Sequence, residues 1–189
     1  MLLDALGTLL HFEPPAPRLR EALRVRAGVD VGADAATAAM RAEIAYYRAH
    51  LHEGRDAATL ASLRRRAAEA MRAALPPAAA DLPAGVLTDA LLDALAFRAY
   101  PDAAPALAEL RAQGFALVVV SNWDASLHDR LAETGLAPLL DGAVASAQLG
   151  VAKPDPAIFA HALALAGASA SRSWHVGDTP DADVAGAAR

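Results

Sequence analysis

The hydrophobic rhythm of the chain changes twice. Residues 1–3 form a short apolar run, and Gly7-Thr8 breaks the apolar positions that continue to Leu10, as a strand and a turn would. From about residue 12 to residue 98 the apolar positions recur at helical spacing with almost no β-branched runs. Pro14, Pro15 and Pro17 introduce a first predicted helix near residues 18–26, which Gly28 and Gly32 end. Further helices are predicted over 33–51, closed by Gly54, over 57–74, stopped by Pro76-Pro77, and over 87–96. Four helices joined by short Pro/Gly segments predict a small bundle.

After Pro101 strands and helices alternate. A helix over 103–113 stops at Gly114, and 115–120 is a continuous apolar, β-branched run, as in a strand buried on both faces. Then come a helix over 124–134, a short strand over 142–146, a helix over 156–166 and a strand over 173–176. This rhythm predicts an α/β fold, a parallel sheet covered by helices. The strand at 1–3 is too short to stand alone and must join that sheet. The expected division is therefore a core of 1–11 and 99–189 with an inserted helical cap of 12–98.

Composition narrows the function classes. The chain has 189 residues, 55% of them hydrophobic, a net charge of −5 and no cysteine. The acidic balance argues against a nucleic-acid or anionic-membrane partner. The one dense basic run, Arg64-Arg65-Arg66, reads as a solvated helix face. Without cysteine there is no disulfide, thiolate chemistry or Cys-type zinc site. The start, MLLDALGTLLHF, lacks a basic leader, and Asp4 interrupts its apolar run, so no signal peptide is expected. No run is long enough to span a membrane. A cytoplasmic protein is expected, of unknown oligomeric state. Alanine and arginine dominate as in a GC-rich genome, which singles out one lysine, Lys153, and one asparagine, Asn122. Arginine is a planar fork and lysine a compact point charge, so a lone surviving lysine implies a need for lysine itself.

In an open parallel sheet, ligands bind beyond the carboxyl ends of the strands. Asp4, Ser121 and Asp178 fall at such ends, and Lys153 lies in the loop after 142–146. Two carboxylates suit a hard cation such as Mg²⁺ bound together with a substrate phosphate. Lys153 would neutralise that phosphate, and Ser121 with the amides opening the next helix would donate hydrogen bonds to it.

Four stretches in order, Asp4-Ala5-Leu6-Gly7-Thr8-Leu9, Ser121-Asn122, Lys153-Pro154 and Gly177-Asp178 with Asp183, resemble the motifs of the haloacid dehalogenase superfamily, in the branch whose helical cap follows the first motif. The resemblance covers nearly the whole chain and implies a three-layer Rossmann-like (flavodoxin-like) core. It also implies that Asp4 is a covalent nucleophile forming an aspartyl-phosphate, and that Ser121, Asn122 and Lys153 bind phosphate. Mg²⁺ is implied to rest on Asp4, the backbone carbonyl of Leu6 and Asp178, with Asp183 in support. The expected partner is a small, phosphorylated substrate.

Leu6 departs from the pattern, because phosphatases of the family usually carry there a second aspartate that protonates the leaving oxygen. Loss of a positioned acid/base costs about 10²–10⁴ in rate. Three readings follow: a leaving group that needs no proton, a proton from elsewhere with low turnover, or a protein that binds without useful catalysis. A Mg-dependent phosphatase-like hydrolase is the favoured reading. A metal-independent 2-haloacid dehalogenase and a non-catalytic binding protein are the alternatives, the retained Asp178 and Asp183 being the metal-binding form.

Other candidates carry less. His50 and His52 lack a carboxylate at ligand spacing, His161 reads as structural, and His175 fits either the site or the core. Tyr46, Tyr47 and Arg48 read as bundle core and surface. Trp123 is expected to line an entrance, and Asp181 lacks the rest of a calcium loop. Family members have more residues before the nucleophile and a further strand after the fourth motif, so clipped or disordered ends are expected around Met1 and Ala187-Ala188-Arg189.

Overall fold

The computed structural model describes residues 1–188; Arg189, the end of the expected core, lies outside them. Two units emerge, Phe12–Ala96, and Met1–His11 together with Phe97–Arg189.

The unit Phe12–Ala96 is built from α1 (Pro15–Ala27), α2 (Ala33–His50), α3 (Ala57–Arg72), the single turn α4 (Pro77–Ala80) and α5 (Ala84–Ala94). Each long helix lays one apolar stripe inward: Leu19, Ala22 and Leu23 from α1, Ala67, Ala68 and Met71 from α3, Leu87, Ala90, Leu91 and Ala94 from α5. Pro15 begins α1, where a missing N–H costs nothing. A capping box between Asp56 and Thr59 opens α3. The turn α4 was not expected, since its Ala-rich sequence carries no periodic signal.

Along α2 the buried stripe runs Ala36, Ala39, Met40 and then Glu43, which is only 3% exposed. Burial pushes the Glu43 carboxyl from its ordinary 4.5 up to about 7. Such a group takes up a proton on folding between those values, so the protein loses stability as pH rises through that window and does not regain it above. At about 1.4 kcal/mol per pH unit, the penalty at pH 8 approaches ~3 kcal/mol. Glu43→Gln is expected to raise the urea midpoint at pH 8 and to leave it unchanged near pH 4. Parallel stability–pH curves for the two proteins would show that Glu43 is not the buried acid.

In the other unit the strands are β1 (Leu2–Leu3), β2 (Leu10–Phe12), β3 (Phe97–Ala99), β4 (Val118–Ser121), β5 (Gly142–Ala145) and β6 (His175–Val176), with Phe12 itself opening the helical unit. Four of them form a parallel sheet in the order β5-β4-β1-β6. The two-residue β1 is held on both sides: Leu2 N donates to Trp174 O at 2.8 Å, Asp4 N to Val176 O at 2.8 Å, and Val118 N to Met1 O at 3.1 Å. The unexpected pair β2–β3 stands where the chain leaves this unit and returns.

Side chains alternate across the sheet. Leu3, Val119 and Ala145 pack with Leu107 of α6 (Ala103–Ala112) and with Leu127 and Leu131 of α7 (Leu127–Glu133). Leu2, Val118, Val120 and Val144 pack on the other side, where α9 (Pro156–Leu165) contributes Ile158, Phe159 and Ala162 after the short α8 (Ser146–Leu149). This is a parallel, three-layer, Rossmann-like α/β core.

Several boundaries move inward from their expected places, for local reasons. Leu117 N bonds the Asp141 carboxylate at 2.7 Å instead of a strand, so β4 starts at Val118. Asp124 turns back to accept from Ser126 N and Oγ at 2.7 and 2.6 Å, so α7 starts at Leu127. Ser173 is tied to Ser169 O, so β6 starts at His175. Among the described residues no helix is long and apolar enough to cross a membrane.

Candidate active site

The sheet order decides what meets what. β1 lies between β4 and β6, so the residues leaving those three strands gather at one edge. Asp4 follows β1, Ser121 ends β4, and Gly177-Asp178 follows β6. Ser121 Oγ donates to Asp4 Oδ1 at 3.0 Å. The path from β5 through α8 returns Lys153 to the same point. Its ammonium lies 2.6 Å from Asp4 Oδ1 and 2.5 Å from Asp183 Oδ1. Asp4, Lys153 and Asp183 are all buried.

Asn122 fixes the lysine by its backbone. Its Nδ2 donates to Lys153 O at 2.9 Å, and Lys153 N donates to its Oδ1 at 2.8 Å. An amide presents a donor and an acceptor on separate atoms to the C=O and N–H of one residue, which aspartate or serine cannot reproduce. Both ends of the Asn122 amide are thus engaged with Lys153. The sole lysine and the sole asparagine form one device.

The two buried carboxylates differ. Burial pushes Asp4 above the usual aspartate range, with Lys153 and Ser121 pulling back and Asp183 adding to the rise. Burial acts on Asp183 in the same sense, but bonds from His175, Lys153 and Thr179 N outweigh it and hold Asp183 below that range. Asp183 Oδ1 receives Lys153 and His175 Nε2, and Oδ2 receives Thr179 N at 2.9 Å. This carboxylate therefore acts as an anchor.

Asp178 is exposed, with Thr179 Oγ1 at 3.4 Å as its bond. It lies directly over Gly7, where φ is +90° and any Cβ would overlap the carboxylate. Asp4, Asp178 and Asp183 each offer an oxygen within 4.8 Å of the others. Three hard oxygen donors, one facing solvent, fit a divalent cation such as Mg²⁺. The side chain of Leu6 is 39% exposed and supplies neither proton donor nor acceptor.

The remaining candidates settle elsewhere. Trp123 does not line an entrance; it is buried, its Nε1 donates to Ser126 Oγ at 3.3 Å, and Phe97 packs on it at 5.0 Å. His175 belongs to both site and core: its ring meets Phe159 edge-on while Nε2 reaches Asp183. His161 and Asp181 are exposed. In the helical unit His50 Nδ1 donates to Tyr46 O at 2.7 Å, and Arg66 bonds the Tyr46 hydroxyl and Glu53. Sequence reasoning missed the roles of Asn122 and His175, although the rarity of asparagine was a signal for the first.

Known proteins bear on this geometry. A family described as haloacid dehalogenase-like hydrolase matches residues 1–189. Phosphoserine phosphatase of Thermus thermophilus is 38% identical over 89 residues, 47% of this chain and 36% of that one. Glyceraldehyde 3-phosphate phosphatase of Methanopyrus kandleri is 36% identical over 91 residues, 48% of this chain and 39% of that one. The chain thus spans less than half the length of these curated relatives. The solved 2-haloacid dehalogenase from Pseudomonas syringae pv. Tomato DC3000 is 27% identical, with a TM-score of 0.61 over 99% of this chain and 80% of that one. The family match and the arrangement around Asp4 agree: the chain belongs to the haloacid dehalogenase-like hydrolases.

Proposed function

We propose that the protein is a phosphatase-like hydrolase that transfers a phosphoryl group to Asp4 and then to water. One observation carries this reading: Ser121 Oγ and Lys153 Nζ both bind Oδ1 of Asp4, which leaves Oδ2 as the attacking oxygen. Oδ2 bonds to phosphorus as the bond to the leaving oxygen breaks, and that oxygen departs with the electron pair. Water then attacks the aspartyl-phosphate and restores the carboxylate. Lys153 and the backbone N–H groups after Ser121 stabilise charge on the phosphoryl oxygens. Asp4, Asp178 and the carbonyl of Leu6 would hold Mg²⁺, with Asp183 in support, and the bound ion would supply further neutralisation of that charge. Residues 12–98 correspond to the family's inserted helical cap and select the substrate, a small phosphorylated molecule. Phosphatases among the relatives, and the three carboxylates gathered at the site, support this reading.

Leu6 favours a second reading. A halide leaving group needs no proton, so 2-haloacid hydrolysis does not require an acid at this position. The deciding assay is a panel of phosphate esters, acyl phosphates and 2-haloacids, each with Mg²⁺ and with EDTA. Mg-dependent phosphate release is expected. Halide release that survives EDTA, with no phosphate release, would replace phosphatase by dehalogenase.

Leu6 also sets the expected substrate range. Without a positioned acid, nitrophenyl phosphate and acyl phosphates should react far faster than alkyl phosphates. Leu6→Asp should then raise alkyl-phosphate turnover by about 10²-fold, the lower end of general acid catalysis. A folded but unimproved Leu6→Asp protein, beside a wild type indifferent to leaving group, would show that the missing acid is not limiting.

Gly7 tests the metal site. Gly7→Ala is expected to push Asp178 aside and to weaken Mg²⁺ binding in calorimetry by about tenfold or more. Unchanged binding would remove Asp178 from the ligand set.

A further inference from the structure

His175 enters neither the metal set nor the phosphate set, yet its side chain is almost wholly buried beside them. Its Nε2 lies 2.8 Å from Asp183 Oδ1, the oxygen that also receives Lys153. Its Nδ1 is buried with no hydrogen-bond partner. The ring is wedged edge-on against Phe159, with centroids 5.1 Å apart. Asp183 is also pressed onto the backbone of Gly177, where a Cβ would overlap it.

These contacts fix the proton. A carboxylate oxygen only accepts, so Nε2 must be the donor. A proton on Nδ1 would be a buried N–H without an acceptor, at a cost of about 1–3 kcal/mol. We infer that His175 is a positioning residue: as the Nε2–H tautomer it holds Asp183 Oδ1 in place, and Asp183 in turn holds the Lys153 ammonium against Asp4. Its action on the reaction passes entirely through Asp183 and Lys153. Only its kinetic consequence rests on the phosphatase reading.

Three measurements test it. Nitrogen NMR of the ¹⁵N-labelled wild type should find His175 protonated at Nε2 and bare at Nδ1; the reverse tautomer overturns the proposal without any mutation. The second compares His175→Gln, whose side-chain amide can donate from the place of Nε2, with His175→Leu, which cannot donate. Because the chain has one lysine, acetylation of the folded protein, mapped by mass spectrometry, reports Lys153 alone among side-chain amines. The Leu variant should acetylate about tenfold faster than wild type, and the Gln variant within about twofold, following the usual effect of groups that orient a site's direct ligands. Equal acceleration in both variants would reduce His175 to core packing. The third is phosphate-ester turnover, with kcat/KM expected to fall about 10–100-fold in the Leu variant and to recover in the Gln variant. If wild type hydrolyses no phosphate ester but tautomer and acetylation follow expectation, the positioning role stands and the phosphatase reading fails. If the Leu variant does not fold, tautomer and Gln variant decide.

Discussion

Asp4→Asn is expected to abolish turnover while the protein folds and melts at or above the wild-type temperature. Loss of activity should reach about 10⁴-fold or more, the order seen when a covalent nucleophile is removed. Asparagine keeps an oxygen where Ser121 and Lys153 donate, so the local shape persists. It cannot donate an electron pair to phosphorus as a carboxylate does. The stability follows from the direction of the Asp4 shift. Burial holds its protonation above the usual aspartate range, so the ionised form disfavours folding once pH passes the unfolded value. A neutral amide removes that penalty. The difference in melting temperature between the two proteins should therefore grow as pH rises from about 4. Hydrolysis retained in an Asp4→Asn sample shown by mass to be free of deamidation would sink the covalent route.

Lys153→Met is expected to lose both stability and activity. The ammonium stands between two buried carboxylates, at 2.6 Å from Asp4 Oδ1 and 2.5 Å from Asp183 Oδ1. Methionine leaves those charges facing one another with no cation. Removing one partner of a buried ion pair costs about 3–5 kcal/mol. Denaturant unfolding in EDTA should show that loss, and Mg²⁺ should restore part of it, because a cation bound only to the folded state shifts the equilibrium. Adding Asp183→Asn should recover stability but not activity. Lys153→Arg should be nearly as damaging, since a planar fork cannot occupy the position of an ammonium between two oxygens. An unchanged midpoint for Lys153→Met in EDTA would mean that the three side chains do not form the buried cluster described above.

The site was legible where chemistry forces a residue type. Asp4, Ser121, Lys153 and Asp178 stand out because each follows a strand or its loop, and strand ends are where such a sheet binds. The scarcity of lysine and asparagine pointed at Lys153 and Asn122, but it could not say that Asn122 serves the lysine's backbone. That depends on a loop from β5 passing beside the end of β4, a tertiary fact. Trp123 was misplaced for the same reason: next to a site motif an indole reads as a lining group, and only the packing of Phe97 and Ser126 makes it core. Glu43 gave no warning at all. An acid in an alanine-rich helix reads as solvated, and burial is settled by the neighbouring helices. The late starts of β4 and β6 escaped because single side chains, Asp141 and Ser173, bond to the backbone there.

The position of β1 has a consequence for synthesis. The helices of Phe12–Ala96 find their packing partners among themselves, within that one segment. The strand β1, which leads to Asp4, leaves the ribosome before the helical insert, yet its pairing partners, β4 and β6, follow that insert. It therefore waits, unpaired and apolar, until β4 has emerged, and is paired on both sides only after β6. The pairing of β2 with β3 brings the two ends of the helical insert together. On this ordering the candidate site is assembled only after β6 arrives, and a nascent chain stalled before residue 175 carries Asp4 without Asp178, Asp183 or the pairing of β1 with β6.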